Sequence, residues 1–181
     1  MNRWPRPEPQ SALVVLVPEA EPLVAGLRAA HDPAAAAGVP AHITILFPFA
    51  PPAQIDDDAI DRLRAIFGAH RSFEYRLVGI GGFPGLVYLA PDPEDPFRAL
   101  TLALQEDFPD YPPYEGRHPV VVPHLTVGTS ADEGALERIA RDLASSAEGV
   151  LPIPARATGI ALMDNTPGPW RVVTMFPLGR S

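Results

Sequence analysis

Pro40-Ala41-His42-Ile43-Thr44-Ile45-Leu46-Phe47-Pro48-Phe49 is the stretch on which the fold turns, because its motif returns in Val121-Val122-Pro123-His124-Leu125-Thr126-Val127. Side chains alternate between the faces of a strand, so His42 and Thr44 share one face while Ile43 and Ile45 enter the core. His124 and Thr126 stand in the same way opposite Leu125 and Val127. Five His and seven Thr in 181 residues give about 0.2 His-x-Thr tripeptides by chance, yet two occur, each with aliphatic neighbours. Sliding the chain by the 82 residues that separate His42 from His124 also superimposes the helix expected after each copy and the turns near residues 81–85 and 164–168. The chain reads as internally duplicated.

Outward from the first copy, residues 12–17 are a short, apolar, β-branched run and a buried-strand candidate, followed by a helix over about residues 20–31. Residues 43–47 form the motif strand. Ala50-Pro51-Pro52 breaks the chain, and Asp56-Asp57-Asp58 opens a helix with Ile60, Leu63, Ile66 and Phe67 on one face. Residues 73–80 and 86–90 read as strands around a hairpin turn at Gly81-Gly82-Phe83-Pro84-Gly85. Asp95-Pro96 starts a helix running to about residue 108. Around the second copy, Val120-Val121-Val122 is strand-like, Ser130-Ala131-Asp132-Glu133 is a capping box opening a helix to about residue 147, and strands are expected over 153–163 and 170–176. The reading is an α+β protein: a proline-rich tail over 1–10, then one bilobal domain over 11–181, with two antiparallel sheets, flanking helices and a central cleft.

Composition excludes much chemistry. All 14 basic residues are arginine, so lysine Schiff bases, a Walker-type phosphate loop and a lysyl-nucleotidyl ligase intermediate are ruled out. Without cysteine there are no disulfides, thiolate nucleophiles or cysteine zinc sites. A net charge of −8 argues against a broad nucleic-acid surface, since nonspecific phosphate binding needs an excess of cations. The apolar opening at residues 12–17 is too short for a signal or membrane segment, so the cytoplasm is the default location.

If the two motif faces come together, two imidazoles flank one small anion with two hydroxyls to donate to it. One neutral histidine can take a proton from water while the other, charged, protonates a leaving alkoxide. Thr44 and Thr126 can stabilise the charge that develops on the phosphoryl oxygens. No metal or cofactor is required. The acidic run Asp56-Asp57-Asp58 with Asp61 reads as a helix start rather than a metal site.

Paired His-x-Thr motifs in duplicated lobes resemble the two-histidine (2H) phosphoesterase superfamily, and the two quoted stretches are similar to its small bacterial branch, the 2′-5′ RNA ligase-like proteins. The resemblance spans about residues 12–178. It implies a bilobal fold with the site between the lobes, metal-independent chemistry and a catalytic set of His42, Thr44, His124 and Thr126. It also implies His124 activating water and His42 protonating the leaving oxygen, with roles exchangeable in the reverse direction. The expected activity is opening of 2′,3′-cyclic phosphates of nucleotides or RNA ends, with 2′-5′ ligation as its reversal. The alternative is a non-catalytic nucleotide or RNA-end binding module using the same cleft. Several relatives carry a basic residue after the second motif; Gly128-Thr129-Ser130 here favours a smaller substrate than long RNA.

Further substrate contacts are expected from Arg117 and Arg171 to phosphate and from Phe49, Tyr88 and Trp170, with Phe83, to a base. His31 and His70 read as helix-end residues; His118 could share the face of His124, but Pro119 and Pro123 break simple strand parity, which leaves it uncommitted and leaning to a structural role. A single self-sufficient cleft needs no obligate protein partner, and a monomer is expected.

Overall fold

The computed structural model describes residues 8–116, 121–166 and 168–180. In chain order the elements are β1 (Ser11–Leu16), α1 (Glu21–His31), a short α2 (Pro33–Ala36), β2 (His42–Leu46), α3 (Asp57–Ala69), β3 (Phe73–Phe83), β4 (Leu86–Asp92), α4 (Asp95–Asp107), β5 (Leu125–Thr129), α5 (Glu133–Ala147), β6 (Ile153–Ala157), β7 (Gly159–Asp164) and β8 (Arg171–Pro177). They build two four-stranded antiparallel sheets, ordered β2-β1-β7-β8 and β5-β4-β3-β6. The α+β, two-sheet reading of the sequence holds.

Each sheet draws on both halves of the chain. The strand after α3 leaves β1 and β2 to pair with β4, while β7 returns from the second half to pair with β1. The duplication is therefore real in element order but exchanged in space. The motif strands β2 and β5 stand at corresponding edges of the two sheets and contact each other. The helices cross over too: α1 packs on β5 and α4 on β2.

One continuous core joins the sheets to the four long helices, with Val24 of α1, Leu63 and Phe67 of α3, Phe97, Leu100 and Leu104 of α4, and Ile139 and Leu143 of α5 all buried in it. Phe97 meets Phe73 and Tyr75 edge-on, both at 5.0 Å, so Phe97→Ala should cost about 3–5 kcal/mol. The helices thus cover one face of each sheet and leave the other for chemistry. Asp56 caps α3 by accepting from the Ala59 amide at 2.9 Å, as its acidic start predicts. Among the described residues no helix is long and apolar enough to cross a membrane.

Four local expectations are corrected. Residues 121–124 are outside any strand, and β5 begins at Leu125; Pro123 lacks the amide that a ladder needs. The hairpin turn is confined to Pro84-Gly85, with Gly81 to Phe83 paired in β3. The run over 153–163 is two strands split at Thr158, one in each sheet. Asp132, not Ser130, caps α5, accepting from the Gly134 amide at 3.0 Å.

Candidate active site

Alternation along the motif strands is as the sequence predicts. Ile43, Ile45, Leu125 and Val127 are buried, and His42, Thr44, His124 and Thr126 are half-buried on the face that the helices leave uncovered. Each strand carries a bulge just after its threonine. In the first, Val14 pairs with Thr44 and Leu13 with Leu46, leaving Ile45 unmatched; in the second, Tyr88 pairs with Thr126 and Val87 with Gly128, leaving Val127 unmatched. A bulge shifts parity by one residue. Leu46 consequently turns into the core, and the Ile45 carbonyl at the interruption accepts a bond from the buried Thr101 hydroxyl of α4 at 2.9 Å.

Both imidazoles are held by their own backbone. Nδ1 of His42 lies 2.8 Å from the Pro40 carbonyl, and Nδ1 of His124 lies 2.7 Å from the Val122 carbonyl, each two residues upstream. A carbonyl only accepts, so each Nδ1 carries hydrogen and each Nε2 keeps its lone pair in the neutral ring. Glu21 Oε1 accepts from the Ala41 amide at 2.7 Å, and the Ala41 carbonyl accepts from Val17 at 2.8 Å, which fixes the approach to His42. Burial pushes both histidines below their ordinary 6.5. His42 also feels the buried Arg28–Asp32 ion pair, whose members act on it in opposite directions, and more weakly the charge of His124, which lowers it further.

The two halves have different walls. Next to His124, the Tyr88 ring lies 5.5 Å away and Phe83 meets the imidazole edge-on at 5.4 Å, the two aromatics stacked on each other at 4.7 Å. Tyr88 lies flat across β3 only because residue 81 is glycine: a Cβ there would meet the ring at 2.4 Å. Beside β2 stands Tyr114, whose amide donates to the Phe47 carbonyl at 2.7 Å. Burial pushes the Tyr114 phenol up from 10. Sequence reasoning passed over Tyr114, since nothing in a Pro- and Tyr-rich loop marks which tyrosine folds back.

The remaining expected contacts divide. Tyr88 joins the site. Trp170 packs with Phe47, centroids 6.1 Å apart, over Ala12, Val14, Ala161 and Met163, on the same sheet face as Thr44. Phe49 does not join: it is 3% exposed, wedged between Phe108 at 5.2 Å and Tyr111 at 5.4 Å, and is core. Arg171 does not join either. It pairs with Asp164, which pairs with Ser11, on the face opposite Thr44, and its Nε donates to Asp164 Oδ1 at 3.3 Å. Arg117 and His118 lie outside the described residues. His70 sits at the end of α3 with Nδ1 2.8 Å from the Ile66 carbonyl, a helix-end role as expected. Gly128 has a steric reason: a Cβ there would come within 2.9 Å of His31 Cβ on α1. Among the described residues no group of three or more His, Asp or Glu could hold a metal ion.

The model of the 2′-5′ RNA ligase superfamily matches residues 16–169 of the chain. No curated protein matches it. Among solved structures, TT0787 of Thermus thermophilus is similar at 20% identity and a TM-score of 0.60, covering 95% of this chain and 99% of that one. LigT of E. coli, complexed with 3′-AMP, is similar at 19% identity and a TM-score of 0.59, covering 94% and 99%. A structure described as a phosphoesterase is similar at 16% identity and a TM-score of 0.61, covering 96% and 100%. At these identities the likeness is one of fold.

Proposed function

Because the chain belongs to the 2′-5′ RNA ligase superfamily, the two-histidine phosphoesterases, we propose that it is a metal-independent phosphodiesterase that opens 2′,3′-cyclic phosphates of nucleotides or RNA ends. What supports this reading is the contact of β2 with β5, which carry two identically tethered imidazoles, each with a threonine two residues on. Among the described residues neither Nε2 has a hydrogen-bond partner. In the productive state one ring is neutral and the other protonated.

The neutral Nε2, assigned to His124, removes a proton from water as its oxygen forms a bond to phosphorus. The bond from phosphorus to the ribose 2′ or 3′ oxygen breaks, and the protonated Nε2, assigned to His42, gives its proton to that oxygen. The product is a phosphomonoester, and solvent exchange restores the two rings. Hydroxyl donors from Thr44 and Thr126 bear on the non-bridging oxygens as charge builds there. If a ribose hydroxyl replaces water as nucleophile, the same two proton transfers make a phosphodiester, which is ligation without a nucleotide cofactor.

Substrate is a small cyclic phosphodiester or an RNA terminus. Support comes from the Tyr88–Phe83 wall beside His124, which offers a base an aromatic face. The structural relative LigT was complexed with 3′-AMP, the type of monoester that ring opening yields. The test is hydrolysis of a panel of 2′,3′-cyclic mononucleotides in EDTA, with the product isomer identified and His42→Ala and His124→Ala as controls. Turnover that survives EDTA and is lost in both variants is expected. Binding of cyclic nucleotide with no turnover would make the protein a recognition module instead.

A further inference from the structure

Glu21 opens α1 and Arg28 lies in its last turn, seven residues further on, so that two helical turns bring both to one face of the helix. That face meets the residues just before the first motif. Arg28 is buried with Asp32; its Nε and Nη2 donate to Asp32 Oδ2 at 3.0 and 2.8 Å, and Nη2 donates also to the Val39 carbonyl at 3.1 Å. Glu21 Oε1 accepts from the Ala41 amide at 2.7 Å. The Val39 carbonyl and the Ala41 amide belong to consecutive peptide planes, Val39–Pro40 and Pro40–Ala41, and the Pro40 ring fixes φ between them. Only ψ of Pro40 is left, and the two side chains of α1 hold the planes on either side of it.

In the Pro40–Ala41 plane the N–H and the C=O point opposite ways. Glu21 takes the N–H, and Nδ1 of His42 donates to the C=O at 2.8 Å. We propose that Glu21 is a positioning residue for His42: by accepting from the Ala41 amide it aims the Pro40 carbonyl at Nδ1 and so reserves Nε2 for proton exchange with the substrate. A carboxylate on the N–H also polarises the peptide and strengthens its carbonyl as an acceptor. The second copy needs no such residue. Nδ1 of His124 donates to the Val122 carbonyl, whose peptide is closed by Pro123 and has no N–H to hold. Proline stiffens there what Glu21 stiffens in the first copy. α1 also reaches the other motif strand: His31, three residues after Arg28, closes against Gly128 of β5, where a Cβ would come within 2.9 Å of His31 Cβ. The His42 tether is therefore set from a helix that is itself seated on the His124 strand.

The test compares Glu21→Met, which keeps the length of the side chain and removes the acceptor, with Glu21→Gln, which removes the charge and keeps an acceptor oxygen. Imidazole nitrogen NMR spectra of the free protein, at a pH where both rings are neutral, read the tautomer of each histidine. Kinetics on 2′,3′-cyclic AMP and thermal melting accompany them. Wild type and Glu21→Gln should show His42 with hydrogen on Nδ1. Glu21→Met should show mixed tautomers at His42 and no change at His124. It should lower kcat about tenfold with KM changed less than about twofold, while Glu21→Gln stays within about threefold of wild type. A single Nδ1–H tautomer at His42 in Glu21→Met, a kcat left at the wild-type level, both rings changing together with a lowered melting temperature, or Glu21→Gln matching Glu21→Met would each overturn the assignment. The kinetic arm rests on the phosphodiesterase reading. If the wild type turns over no cyclic phosphate, that reading fails, and the spectra alone decide the role of Glu21.

Discussion

Around His42 and around His124 the backbone does the same things: a carbonyl two residues upstream holds Nδ1, and a bulge follows the threonine. The side chains around them diverge. The His124 copy is walled by stacked Tyr88 and Phe83. The His42 copy has Leu16 and Val14 as cross-strand neighbours and takes Tyr114 from a distant loop. Proton transfer depends on ring position and tautomer, which the backbone repeats; recognition depends on surface, which only side chains supply. The pairing of a symmetric machine with an asymmetric wall suits a phosphodiester whose one phosphate is flanked by unlike groups.

The largest expected effects probe the symmetric part. His42→Ala and His124→Ala should each reduce kcat by about 10²–10⁴-fold, and the double variant should lose little more than the worse single one. Near-normal turnover in either would break the equivalence of the copies. Thr44→Val and Thr126→Val should follow, each with a loss of order 10²-fold in kcat and small change in KM.

The pH profile comes next, and its sign follows from burial. Both histidines sit below 6.5 in the free protein, so the singly protonated pair becomes scarce as pH rises above that value. The kcat/KM of the free enzyme should fall about tenfold per pH unit above roughly 6.5. The anionic substrate favours the protonated ring, so kcat should hold to higher pH than kcat/KM. A plateau in kcat/KM through pH 8 would contradict the lowered values.

The asymmetric wall gives smaller effects. Tyr88→Ala should raise KM about tenfold, the scale of one base–aromatic stack, and leave kcat nearly unchanged. Gly81→Ala should reproduce it, because a Cβ at residue 81 displaces the Tyr88 ring. Smallest of all, Arg171→Ala should alter activity less than about twofold, since its guanidinium faces Asp164 across the sheet from Thr44. A large loss there would mean that the two sheet faces communicate.

Legibility from sequence ran along these same lines. Strand alternation in His-Ile-Thr-Ile and His-Leu-Thr-Val identified which side chains leave the core, because a two-residue period is a local property. Phe49 and Arg171 misled because an aromatic or a guanidinium has the same composition on either face, and its face follows from register. Phe49 fell into the core between Phe108 and Tyr111. The run over 153–163 misled because only Thr158 separates its alternating first strand from its wholly buried second, so the passage from one sheet to the other interrupts the extended pattern by a single residue.

The sequence by itself determined the duplicated motif, the α+β class, the chemistry that an all-arginine, cysteine-free chain excludes, and the family to which the motifs point. Tertiary structure alone decided the exchange of strands between halves, the paired bulges, the contact of Tyr88 with His124 through the gap at Gly81, and the bond from the Tyr114 amide to the Phe47 carbonyl. The physical reason is range. Periodicity and residue chemistry act over a few neighbours, whereas each of these contacts joins residues that only packing brings together, as Tyr114 and Phe47 are, 67 residues apart in the chain.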